Sequence, residues 1–419
     1  MPDDPSEPPR SPFERRIYWT APSAGPAHPL RPPDVLLRVI GWSPPAGTAA
    51  RTLAHVTRVI VAAGGGGDAV AAAMLDAAVY GGETPAVVLT YAWDRFLIDP
   101  VPGPRGPANF TGLRPLTRSV QTVPADATPI APAGSTLPRL AAELRQTFAL
   151  IDPHHGAEGM VRQLEELVQY LEPDSVDLLD VGGDILAQGD EPTLRSPLAD
   201  ALTLAACCEL NFPVRLLVAG PGLDGELPAD ALRDRLGPVA LTLADEHVAP
   251  VSSVLEWHPS EATAMLAATA RGARGLCEVG GAGLPVPLTD EGPTVHEADL
   301  DEALGRNQLA RAILATENLH QVEQQSREIC GFSEIDDERN KASWLGSRPT
   351  QSLAPEAVLR QLDDFESDAR SRGITHTTFR RLTEVFGLGV NQRQDLRALL
   401  LSSRPEQYQA PLWRIPSEA

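Results

Sequence analysis

The chain has 419 residues, 42% of them hydrophobic, enough to build a large core; 35 basic against 56 acidic residues leave a formal net charge of −21. That balance speaks against nonspecific nucleic-acid binding and against docking on an anionic membrane, both of which need basic surface. There is no basic-then-apolar leader and no apolar run of the ~18–20 residues that cross a bilayer, and Cys207, Cys208, Cys277 and Cys330 follow neither a zinc nor a disulfide pattern, so a cytoplasmic setting is expected.

Residues 1–55 are crowded with proline, including Pro8-Pro9, Pro32-Pro33 and Pro44-Pro45. Proline removes backbone donors and restricts its neighbours, so this segment is expected to be partly irregular, with 17–19 and 35–40 as candidate short strands. The pattern becomes globular at about residue 56. An apolar strand over 59–63 runs into Gly64-Gly65-Gly66-Gly67-Asp68, followed by an alanine-rich helix over 69–80. A strand over 85–91 ends near Trp93-Asp94-Arg95, and a proline-rich loop and an irregular stretch extend to about 136. Helices are expected over 137–150 and 156–172; in the second, Met160, Leu164, Leu167, Val168 and Leu171 recur at helical spacing.

Strand 176–181 then carries a second loop, Asp180-Val181-Gly182-Gly183-Asp184. Ser196-Pro197 opens a helix to about 210, with proline just inside its start. Strands over 213–219 and 238–243 flank a short helix near 228–236, Pro259 opens a helix to about 271, and 275–279 is a further strand. Strands alternating with helices of this length predict an α/β fold, a doubly wound, mostly parallel Rossmann-like sheet over 56–346. After Asp299 the pattern is helical (299–330, 353–372, 375–386, 391–402) without a convincing strand. The Gly346-Ser347-Arg348-Pro349 break sets off a small helical C-terminal region, 347–419.

Two glycine loops at strand ends leave backbone N–H groups uncovered, and glycine lets such a turn take positive φ and approach a ligand closely. Gly64, Gly66 and Ala69 fit G-x-G-x-x-A, a weak match because four successive glycines satisfy many patterns, and Asp94 comes late for a ribose-reading carboxylate. The helix start after Gly67 suits an anion. Asp68 either caps that helix or holds a metal ion, a sugar hydroxyl or a substrate amine. Asp180 and Asp184 either bond backbone in a tight turn or bind Mg²⁺ with Asp68, or one of them acts as a general base. His258, just before a helix, is a candidate acid/base. Asp94 and Arg95 flank the proline-rich loop and are placed to close over a ligand, and Arg195 is a candidate clamp for phosphate or carboxylate, with a surface ion pair as its alternative.

Taken together, the strings Gly64-Gly65-Gly66-Gly67-Asp68, Trp93-Asp94-Arg95, Asp180-Val181-Gly182-Gly183-Asp184 and Trp257-His258-Pro259-Ser260-Glu261 resemble a prokaryotic family catalogued as domain of unknown function 1152, over about residues 55–305. The resemblance implies membership and cytoplasmic residence without a reaction, so functional roles rest on the residues themselves. They predict a small-molecule enzyme, a hydrolase or transferase for a phosphorylated or nucleotide-like substrate held between the loops and assisted by Mg²⁺. Gly64, Gly65, Gly66, Gly67, Gly182 and Gly183 would form the ligand cradle, and Asp180, Asp184 and His258 would do the chemistry. The alternatives are a nucleotide- or metabolite-sensing module, and a metal-independent amino-acid or amide-processing enzyme. The expected partner is a small molecule, with neither nucleic acid nor membrane; a homo-oligomer is compatible with the sequence.

Overall fold

A computed structural model describes residues 58–81, 85–346, 353–389 and 392–417. The proline-rich segment 1–55 and its two candidate strands lie outside them. The architecture is mixed α/β around a large, mostly parallel sheet.

Strand β1 (Arg58–Ala62) lies at the centre of this sheet. Its apolar residues alternate between two cores, as successive side chains of any strand must. Val59 and Val61 enter one core together with α3 (Gly156–Leu171) and α4 (Pro197–Glu209). Ile60 and Ala62 enter the other, with α1 (Gly66–Tyr80), α2 (Leu137–Glu143) and α5 (Glu261–Ala270). A strand buried on both faces reads as a continuous apolar run, which is why Val59-Ile60-Val61 stood out in the sequence.

Strands β2 (Val87–Tyr91) and β3 (Thr147–Ile151) continue parallel to β1 on one side. Strands β4 (Ser175–Val181) and β5 (Val214–Ala219) continue parallel on the other. Antiparallel strands finish both edges: β6 (Val239–Thr242) and β9 (Thr294–Ala298) beyond β5, and the short strands Gln121–Thr122 and Arg114–Pro115 beyond β3.

Three sequence expectations are corrected. The single helix expected over 137–150 is α2 followed by β3. Leu144 is extended and ends the helix, and the apolar, partly β-branched run 147–151 is buried on both faces between β2 and the edge. The strand β7 (Gly275–Val279) exists, but in a separate five-stranded sheet, where β8 (Leu284–Leu288) lies antiparallel to it. The C-terminal region is not purely helical. Beside α10 (Pro355–Ser371), α11 (Phe379–Val385) and α12 (Arg393–Ser403) it carries β10 (His376–Thr377), β11 (Tyr408–Gln409) and β12 (Leu412–Arg414). The first of these pairs in parallel with Cys277 and Glu278 of β7. Pairings this short are set by tertiary contact and leave no periodicity to read.

Among the described residues no helix is long and apolar enough to cross a membrane. The C-terminal region packs its own core around Leu362, Leu382, Leu396, Leu400 and Trp413. Trp413 is fully buried, lies edge-on to Phe379 and donates its indole N–H to Glu366 at 3.0 Å. Truncating a buried aromatic leaves a cavity, here with one hydrogen bond to Glu366 lost while Gln407 and Arg404 still hold that carboxylate. Trp413→Ala is therefore expected to cost about 3–5 kcal/mol in urea unfolding; a loss under about 1 kcal/mol would show that this core contributes little.

Candidate functional site

The chain runs β1, β2, β3 to one side of the sheet and then returns to lay β4 and β5 on the other. The strand order therefore reverses between β1 and β4, where their carboxyl ends open a crevice. Both glycine loops leave from those two ends, side by side: Ala63 N–H donates to Leu179 O at 2.8 Å. A single cavity is walled by Gly64, Gly65, Gly66, Gly67 and Asp68 of the first loop and by Asp180, Val181 and Asp184 of the second. Asp94, Arg95 and His258 also line it. Segments more than a hundred positions apart thus share one hollow, as the sequence reading required.

The first loop needs glycine for close approach, not for positive φ: Gly65 has φ −77°. A Cβ on Gly65 would run into the Trp93 carbonyl, and one on Gly67 into Ser260. The helix α1 begins at Gly66, within the glycine run. Asp68 turns back so that its Oδ2 accepts the Gly64 N–H at 2.8 Å, while its other oxygen has no hydrogen bond among the described residues. In the second loop Gly182 and Gly183 do have positive φ, +119° and +108°. They shape the turn without lining the cavity, and the Asp224 side chain packs where a Cβ on Gly182 would stand.

Oxygens of Asp68, Asp180 and Asp200 lie within 4.8 Å of one another. The metal set expected from sequence was Asp68, Asp180 and Asp184; in the structure Asp200 takes the third place, while Asp184 faces the same cavity outside that trio. Asp180 and Asp200 are 1% and 5% exposed, and Oδ2 of the first and Oδ1 of the second have no partner. Asp224, Glu226, Glu334 and Glu338 add further carboxylates to the wall. Glu226 accepts the N–H groups of Arg195 and Ser196 and the Ser196 hydroxyl, and Glu334 accepts from Leu198 N at 3.1 Å. Both therefore cap the amino end of α4, whose partial positive charge favours them. Glu338 accepts from Trp93 Nε1 at 3.0 Å.

These carboxylates raise one another's pKa. Burial, opposed by the Gly64 amide and by Arg95, takes Asp68 up to about 7. Burial and Glu226 take Asp224 up to about 8. Asp180, Asp184 and Asp200 are pushed well above the usual range, first by burial and then by their acidic neighbours. Little cationic charge answers them. Arg380 of α11 lines the cavity but pairs with Glu261 and Glu384. The Arg95 side chain, exposed at the mouth, makes no hydrogen bond or ion pair among the described residues.

The remaining candidates divide. Asp94 is raised to about 6 by burial; its oxygens accept from Thr136 Oγ1 at 2.7 Å and Thr136 N at 3.0 Å, so it anchors the start of α2. Arg195 does not reach the cavity: its guanidinium donates to the carbonyls of Pro192 and Leu194, and the clamp expected of it is not formed. His258 is 6% exposed and its pKa is lowered to about 3, by burial and then by Arg393. Its Nδ1 accepts the Ser260 N–H at 3.3 Å, which leaves the proton on Nε2, and Nε2 has no partner. A neutral imidazole of this kind donates a hydrogen bond into the cavity; the proton-shuttle role expected for it lacks a suitable pKa.

Sequence reading missed Asp200 and the Asp224–Glu226 pair. The first sits in the opening turn of a helix, where an acidic residue passes for a cap. The second had a visible signal: Gly220-Pro221-Gly222-Leu223-Asp224-Gly225-Glu226 is a third glycine loop with carboxylates directly after a strand.

The fold and cavity define a mixed α/β protein with an acid-walled site at its strand ends. The chain belongs to the family described as protein of unknown function (DUF1152), whose profile matches residues 59–342. No curated protein and no solved structure matches it. The match runs beyond the expected limit near 305 and takes in α9 (Glu334–Gly346), hence Glu334 and Glu338; Arg380 lies outside it.

Asp68 and Asp224 lose their protons near about 7 and about 8 in the fold, against 3.8 for unperturbed aspartate. A carboxyl group whose folded pKa is raised supports the fold at low pH, and that support is lost as pH climbs through the folded value. In the metal-free protein, scanning calorimetry is expected to give a lower Tm at about pH 8 than at about pH 5. A Tm that rises across this range would contradict the mutual repulsion described here.

Proposed function

We propose that this chain is a cytoplasmic, metal-assisted enzyme that hydrolyses or transfers a group of a phosphorylated or nucleotide-like small molecule. The order β3-β2-β1-β4-β5 supports reading the sheet as doubly wound and Rossmann-like, the arrangement in which such ligands bind at the reversal point. The observation that carries the proposal is the Asp68–Asp180–Asp200 trio, with unpartnered oxygens on the two buried members. Three hard oxygen donors so close together suit Mg²⁺ or Mn²⁺, with waters and phosphate oxygens completing the shell. A bound divalent ion would offset charge on a phosphoryl group and acidify water.

The chain's own groups divide the remaining work. Arg95 faces an incoming anion with no competing side-chain partner among the described residues. The amides of Gly66 and Gly67, in the first turn of α1, have no intrahelical acceptor and point their partial positive charge the same way. His258 Nε2–H donates to a substrate oxygen. Asp184, 7% exposed and with no hydrogen bond to its carboxylate among the described residues, polarises the attacking water or hydroxyl. A metal-independent amide-processing enzyme would have no use for the aspartate trio, and a sensor would have no use for Asp184.

The test is a screen of nucleotides and sugar phosphates with Mg²⁺, Mn²⁺ or EDTA, with product analysis. Turnover is expected only with the divalent ion, and Asp200→Asn is expected to reduce it by about 10²-fold or more, the scale of losing one charge-stabilising group. Undiminished turnover in EDTA, or a fully active Asp180→Asn/Asp200→Asn protein, would overturn the proposal. Ligands bound but left intact would favour the sensing module.

A further inference from the structure

Five aspartates of the cavity wall, Asp68, Asp180, Asp184, Asp200 and Asp224, have no cationic side chain bonded to them. The other acidic residues there are satisfied by backbone amides, Thr136, Trp93 or Arg380. Among the described residues the lining cation whose side chain has no partner is Arg95. A single divalent ion on the trio together with Arg95 offsets three of the five charges. That leaves Asp184 and Asp224 without a counter-charge, and ionising either in a site largely shut off from water is costly unless a further cation joins them.

Both remaining side chains are arranged to receive something. Asp184 is more than nine-tenths buried and its carboxylate accepts no hydrogen bond among the described residues, although it faces the cavity. Asp224 holds one oxygen on the Glu226 amide at 2.9 Å, and its other oxygen, Oδ2, is buried without a partner. It leans over the second loop into the space left by the missing side chain of Gly182, so that loop and carboxylate are fitted to each other. Two carboxylates with room for waters are the usual protein contribution to a magnesium site.

We infer that the cavity takes two divalent cations, one on Asp68, Asp180 and Asp200 and a second on Asp184 and Asp224. This rests on the metal-assisted reading above and gives Asp184 its means of polarising the attacking oxygen. Paired ions suit an in-line displacement at phosphorus, one stabilising the attacking oxygen and the other the leaving oxygen. The substrate class is then a phosphate ester or anhydride.

The test uses the full-length, metal-free protein with Mn²⁺ alone, at about pH 8, where a bound cation displaces the protons that the raised carboxyl groups still hold. Calorimetric titration is expected to show two ions per chain, and electron paramagnetic resonance a spin-coupled pair. Asp184→Asn, nearly isosteric, is expected to bind one ion, to lose the coupled signal and to melt at a higher temperature than wild type when metal-free. The last readout shows that the variant folds. One ion per chain in the wild type, or two in Asp184→Asn, would overturn this inference and leave the first site standing. Binding of no ion would overturn the metal-assisted reading with it.

Discussion

Ionised carboxylates repel one another strongly where water is excluded, and beside Asp94 this fold gathers five aspartates that have no cationic side chain bonded to them among the described residues on the wall of one cavity. Two sit at the end of β4 and in its loop, one in the loop after β1, one in the first turn of α4 and one in the loop after β5. None of these positions is adventitious. The parallel strands deliver their carboxyl ends to one edge, and reversal of the strand order between β1 and β4 opens the space into which they point. The glycines let the loops approach one another closely enough to close it. A protein that buries unpaired charge gives up stability there, and the two dry cores on either face of the sheet can carry that loss.

The part of the cavity wall that holds His258 and Glu261 depends on the C-terminal region. Arg393 of α12 donates to the carbonyls of both Trp257 and His258, and Arg380 pairs with Glu261 at 3.1 Å. Thr378 adds a hydroxyl bond to the same glutamate. The loop that aims His258 Nε2 is therefore fixed from outside the family match, which ends at residue 342. The tail is part of the site's construction, even though its own core around Trp413 is separate.

The central strands and both glycine loops were legible because continuous apolar, β-branched runs ending in glycine have few other uses. The same logic should have found the loop after β5, where Asp224 follows Gly-Pro-Gly. Asp200 was hidden for a physical reason: in the first turn of any helix an acidic residue lowers energy through the dipole, so its presence carries little information. β3 was hidden because its apolar run follows α2 without a proline or glycine to separate them. His258 was visible as a residue, but its tautomer depends on the Ser260 amide and its low pKa on burial and on Arg393. Short strands such as His376–Thr377 exist only through partners distant in sequence, Cys277 and Glu278 on one side and Trp413 and Arg414 on the other.

The central claim is that the aspartate cluster is a cation site. Crystals grown with Mn²⁺ and measured at the manganese absorption edge would locate the ion directly. The account predicts an anomalous peak bonded to oxygens of Asp68, Asp180 and Asp200. Manganese bound elsewhere on the chain, with no peak among these three side chains, would contradict it.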